Sequence, residues 1–153
     1  MKPRVLKSAL ATKKLAAQLA KKILWTKQNK HAKVLALTGN LGAGKTTFIQ
    51  GFIKALGIRT RVTSPTFLIF RSYPLTKNLG GSRSVIHADL YRIQKFDELK
   101  TLGFKKILDN QKNIVLIEWA EKIKKHLPKK TLWIKLGYGL KENEREIEIM
   151  DKS

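Results

Sequence analysis

The residues GNLGAGKT, 39 to 46, satisfy G-x-x-x-x-G-K-[ST] at every defined position. They follow an apolar run, VLALT (34–38), and open a helical pattern from about Lys45 to Leu56, with Gly57 as its expected C-cap. That order demands a buried strand, a glycine-rich turn and a helix N-terminus. Backbone N–H groups of Asn40, Leu41, Gly42, Ala43 and Gly44 can wrap a phosphate there, and the helix end adds positive potential. Lys45 would reach the outer phosphates, the Thr46 hydroxyl would ligate Mg²⁺, and Thr47 could donate to the α phosphate.

The remaining pattern supports an α/β chain. Residues 8–25 alternate at helical spacing, with Leu15, Ala16, Leu19, Ala20 and Ile23 on one face, lysines on the other and Ser8 as N-cap. SVIHAD (84–89) and NIVLIEW (113–119) read as buried strands, and FLIFRSYP (67–74) as a further strand. FDELKTLGFKKIL (96–108) and residues 120–127 read as helices, and residues 75–84 as a turn-rich, mobile loop. TLWIKLGY and REIEIM alternate apolar with polar, as an antiparallel pair with one wet face would. Strands alternating with helices and then ending in strands predict a P-loop NTPase-like, three-layer fold. Its mixed sheet should be parallel centrally, with antiparallel C-terminal edge strands. No repeat or linker divides residues 1–153, which are expected to form one domain.

Charge adds a second constraint. The chain carries 32 Lys and Arg against 11 Asp and Glu, a net +21. Residues 1–88 hold 17 of the cations and no acid, so the halves carry +17 and +4. Such a field attracts polyanions, RNA foremost, although a lysine-rich host composition would give the same count. No apolar run approaches the ~20 residues that span a bilayer, so no membrane partner is expected. The absence of cysteine excludes disulfides and thiolate sites and suits a cytoplasmic location. The basic, acid-free start has a transit peptide's composition, but its interrupting lysines argue against a secretory signal.

Any catalytic carboxylate must therefore come from Asp89 onward. Glu118 ends an apolar strand, where an acid can hold Mg²⁺ or orient a water, and Asp89 ends another. The bland alternative for each is a strand-end acid capping the next helix. His87 reads as a satisfied core histidine. There is no N-K-x-D, which argues against a regulatory GTPase. The lack of an early acid weakens a small-molecule kinase without excluding it, since Asp89 could serve as the base. A basic RNA-binding module with a structural ATP site is the other alternative.

Several ordered segments, LTGNLGAGKTTFIQGF, TSPTF, HADLYRI, DELKTLGF and IVLIEWAEKI, closed by LP and an R-x-I-x-I strand, resemble the bacterial TsaE (YjeE) family. The resemblance implies a small P-loop ATPase using ATP and Mg²⁺. It would serve the formation of threonylcarbamoyladenosine at position 37 of tRNAs reading ANN codons, together with TsaD and TsaB; tRNA contact through the basic surface is an expectation from the charge alone, since so Lys-rich a surface departs from the family. It implies Thr46 and Glu118 as metal positions, Lys45 and the surrounding loop as phosphate ligands, and Asp89 as an acid needed for activity. Ser64, Pro65 and Thr66 resemble a mobile switch, and Trp119 a wall or partner contact. Thr12 matches a threonine lying near the nucleotide, and Arg92 would either neutralise transition-state charge or, the favoured reading, hold Asp89 and the switch in place. Asn40 departs from the family's usual acid.

Overall fold

The computed structural model describes residues 2–27, 29–75 and 83–151. Seven strands form one sheet: β1 (Arg4–Leu6), β2 (Lys33–Thr38), β3 (Phe70–Leu75), β4 (Arg83–Asp89), β5 (Asn113–Glu118), β6 (Leu132–Tyr138) and β7 (Arg145–Asp151). Four helices accompany them: α1 (Ala9–Trp25), α2 (Lys45–Ala55), α3 (Phe96–Lys100) and α4 (Phe104–Asp109), with a 3-10 helix over Ala120–His126.

The sheet order is β1-β7-β6-β2-β5-β4-β3. β6, β2, β5 and β4 run parallel, while β7 and β3 are antiparallel to their inner neighbours. Because side chains alternate along a strand, β2 sends Leu35 and Leu37 to a core under α1 and α2. It sends Val34 and Ala36 to a second core with α3, α4 and the 3-10 helix. β5 divides likewise, Ile114 and Leu116 to one side and Val115 and Ile117 to the other. A sheet covered on both faces explains why these strands read as unbroken apolar runs. The three-layer expectation holds.

α1 begins where expected, with the Ser8 hydroxyl accepting from Ala11 N at 3.1 Å. It lies tightly on α2 because position 51 is glycine: a Cβ there would stand 2.5 Å from Lys13 Cα. The far end of α1 is closed by Lys33, whose Nζ donates to the carbonyls of Ile23 (2.8 Å) and Thr26 (2.6 Å).

Several boundaries differ from the sequence reading. The helix expected over 96–108 is two short helices, because Gly103 turns left-handed at φ 74°. The strand expected from Phe67 starts at Phe70, since Leu68 N donates to Pro65 O and a turn occupies the intervening residues. α2 is capped by Leu56, and Gly57 is the left-handed residue beyond it. β6 and β7 do pair antiparallel, but neither is outermost: β1, too short to show a period, pairs with β7 and takes that edge. The turn-rich segment falls largely outside the described residues.

Candidate active site

The carboxyl ends of β2, β5 and β4 adjoin, the position where open α/β sheets bind ligands. β2 leads into the loop through Gly39, at φ 136°, where any Cβ would stand 2.1 Å from the Leu136 carbonyl oxygen. Gly44, also left-handed, starts α2 without a side-chain cap, and no acid occupies the helix's first turn. The first N–H groups of α2 therefore lack an intrahelical acceptor and suit an anion.

Lys45 is buried, and its Nζ donates to the carbonyls of Gly39 (2.6 Å) and Asn40 (3.0 Å) while sitting 4.0 Å from the Trp119 ring centroid. Burial pushes its pKa below the usual lysine value, and the carboxylates of Glu118, Glu121 and Asp89 oppose that shift. A phosphate chain would add the counter-charge that a desolvated ammonium favours.

Alternation sends Glu118, Asp89 and His87 to the face carrying α2. The Thr46 hydroxyl lies 2.9 and 3.1 Å from the two Glu118 carboxylate oxygens. His87 Nε2 is 2.8 Å from Glu118 Oε1, and His87 is fully buried. A carboxylate can only accept, so the proton belongs on Nε2. His87 Nδ1 has no hydrogen-bond partner among the described residues. His87 is therefore a buried neighbour of the acid, a role its place in an apolar strand does not announce.

Asp89 stands level with Glu118 across the β4–β5 ladder. Its Oδ2 accepts from Thr66 Oγ1 at 2.9 Å and from Ser64 Oγ, and its Oδ1 accepts from Tyr91 N at 3.0 Å. The segment 64–66 is thus tied to the end of β4. Pro65 is buried beneath it. Arg92 does not reach Asp89: its guanidinium lies 4.3 Å from the ring centroid of Phe67, next to Thr66.

Trp119 follows Glu118 at φ 59°, a conformation costly for a bulky residue, and its ring meets Tyr91 at 5.3 Å. Ile69, whose carbonyl accepts from Asp89 N, is also left-handed at φ 65°. Both strained residues adjoin the acids.

Two pockets flank the loop and share Gly42, Gly44 and Thr47. One, of ≈ 410 Å³, holds Lys45, Thr46, Ser64, Thr66, Asp89 and Glu118. The other, of ≈ 330 Å³, reaches Ser8, Thr12 and Arg145. Leu41 and Asn40 are exposed at the loop tip, whereas Ala43 is buried, its N–H donating to Asn40 O. Tyr138 and Arg145, to which the sequence assigns no site role, support this side: Tyr138 Oη donates to Leu41 O. Arg145 donates to the carbonyls of Glu142 (2.8 Å) and Glu144 (2.7 Å).

Among the described residues no group of three or more His, Cys, Asp or Glu converges on a possible metal site. A Thr46 hydroxyl beside one carboxylate nevertheless fits Mg²⁺, which usually takes one or two protein ligands and completes its shell with phosphate oxygens and water.

Fold and loop define a P-loop NTPase-like protein. The family model for TsaE, threonylcarbamoyl adenosine biosynthesis protein, matches residues 6–147, and the chain belongs to that family. It is 41% identical over 118 residues to the tRNA threonylcarbamoyladenosine biosynthesis protein TsaE of Bacillus subtilis, covering 77% of this chain and 69% of the relative. The Rickettsia felis protein of the same name is 37% identical over 150 residues, covering 97% and 80%. The crystal structure of Bacillus subtilis YdiB superposes with a TM-score of 0.71 at 31% identity, covering 99% of this chain and 86% of that one.

Proposed function

We propose that the protein binds and hydrolyses Mg-ATP to support the TsaD–TsaB threonylcarbamoyl transferase, which forms N6-threonylcarbamoyladenosine at position 37 of tRNAs reading ANN codons. The tRNA threonylcarbamoyladenosine role comes from the relatives' names. The observation carrying the ATPase reading is the meeting of Thr46 and Glu118 beside an uncapped helix N-terminus and a buried lysine.

In this reading the loop N–H groups and Lys45 hold the β and γ phosphates, while Thr47 and Thr12 lie toward the rest of the nucleotide. Mg²⁺, held by Thr46 and Glu118 when bound, would neutralise phosphate charge. Glu118 also orients the attacking water, and Asp89 holds Ser64 and Thr66 where a γ phosphate can compete for their hydroxyls. Trp119 walls the site over Lys45. Asp89 is turned toward Ser64, Thr66 and Tyr91 N rather than toward an acceptor alcohol, which favours hydrolysis over a small-molecule kinase.

Arg92 is occupied with Phe67 and Arg145 with backbone carbonyls, so unaided turnover should be slow. An arginine supplied in trans is worth ~10³–10⁵ in other P-loop proteins. Steady-state ATP hydrolysis with and without TsaD–TsaB tests the proposal: strong stimulation is expected, and equal rates would reject dependence on the pair. Measuring the modified nucleoside in tRNA after depletion, then after restoring wild type or Glu118→Ala, tests the biological role.

A further inference from the structure

A second concave site lies away from the nucleotide pockets. Lys13 of α1, Lys54 in the last turn of α2, and Arg59 and Arg61 on the segment after α2 line a cleft of ≈ 660 Å³. No carboxylate lines it, because none precedes Asp89 in the chain. All four cations are exposed, and none makes an ion pair among the described residues. The cleft is fixed by its frame. Gln50 Nε2 donates to Val62 O at 2.9 Å, anchoring the segment to α2, and Val62 is buried in the core. Gly51 holds α1 close enough for Lys13 to join the wall.

Four cations from three parts of the chain repel one another, and no carboxylate among the described residues pairs with them. They suit a ligand that brings several negative charges, and arginine forks match phosphate oxygens in pairs. A single small anion would answer only part of the positive field that the acid-free residues 1–88 create. A polymer with one charge per residue would use both the cleft and its surroundings.

We propose that this cleft binds the phosphate backbone of RNA, giving the protein one phosphate site for a nucleotide and another for a polymer. The choice of RNA over other polyanions rests on the tRNA-modification role proposed above. Two residues beyond Val62 the same segment becomes Ser64, so the two sites share a stretch of chain.

The test uses the full chain, a labelled unmodified tRNA and a salt series, with no ATP and no partner protein. Arg59→Glu/Arg61→Glu should weaken binding at least ~10-fold and flatten the log–log salt slope by about 1.4–1.8, the share of two phosphate contacts. Lys54→Glu, exposed on α2, should weaken binding in the same direction without altering the segment. Lys106→Glu/Lys125→Glu, the same charge change on α4 and the 3-10 helix at the other face of the sheet, should cost under ~3-fold. Unchanged melting temperatures will confirm that the variants fold. Equal losses from both double variants would overturn the proposal, as would negligible binding by wild type at physiological salt. Competition by polyglutamate or anionic vesicles as effective as by unlabelled tRNA would overturn the choice of RNA. Without ATP in the assay, cleft-dependent binding stands even where hydrolysis fails, so the two readings fail separately.

Discussion

Glu118 and Asp89 stand level on adjacent strands, both buried, both at the carboxyl edge of the sheet. Their partners differ. Glu118 is gripped by Thr46 on α2 and His87 within β4, groups that belong to packed elements. Asp89 is gripped by Ser64 and Thr66, on a segment without regular structure whose hydroxyls are partly open to solvent. The first carboxylate is built into the frame. The second is tied to a segment that, in the proposed reading, a bound nucleotide's phosphates would draw away from it. Two acids at equivalent strand positions thus differ in what holds them, a rigid frame for Glu118 and an irregular segment for Asp89.

The comparison breaks most visibly at Glu118. Glu118→Ala should lower partner-stimulated ATP hydrolysis by about 100-fold or more while largely sparing ATP binding. Surviving turnover would remove Glu118 from the catalytic role. Asp89→Asn preserves shape and weakens the charge-assisted bonds to Ser64 and Thr66, each worth about 1.5–3 kcal/mol. Stimulated turnover should fall about 10-fold or more, and amide exchange around residues 64–66 should accelerate; unchanged exchange would mean that Asp89 does not restrain the segment. His87→Leu removes one grip on Glu118 while keeping the core filled. The apparent Mg²⁺ requirement should rise about 10-fold, as for lost supporting contacts at other metal sites. Urea unfolding should register the same change as about 1–3 kcal/mol, and a stability loss with no Mg²⁺ effect would assign His87 to packing alone. Arg92→Ala should be mildest, since an exposed cation–π contact is worth about 0.5–1 kcal/mol. A loss of stimulated rate beyond about 5-fold would show Arg92 doing more than bracing Phe67.

Sequence revealed what is local. Gly39 through Thr46 fixes its own turn, and apolar runs ending in Asp89 and Glu118 announce buried strands with polar tips. The pairing of His87 with Glu118 was hidden because it joins residues 31 apart through a strand register that no short motif encodes. β1 escaped because three residues show no period, and its pairing with β7 comes from tertiary context. The break at Gly103 is not legible in the sequence, because the flanking residues keep a helical rhythm. Arg92's preference for Phe67 over Asp89 depends on where the turn before β3 delivers that ring.

The position of β2 has a consequence for synthesis. Its neighbours in the sheet are β5 and β6, which lie some eighty to a hundred residues later in the chain. As the chain leaves the ribosome, the strand that carries the phosphate loop has no ladder to join until most of the protein has been made. Until Asp89 emerges, residues 1–88 present 17 cations and no acidic side chain. Pairings this distant fold slowly, so in a setting dense with ribosomal RNA the long open interval gives polyanions access to this basic segment before its sheet can close.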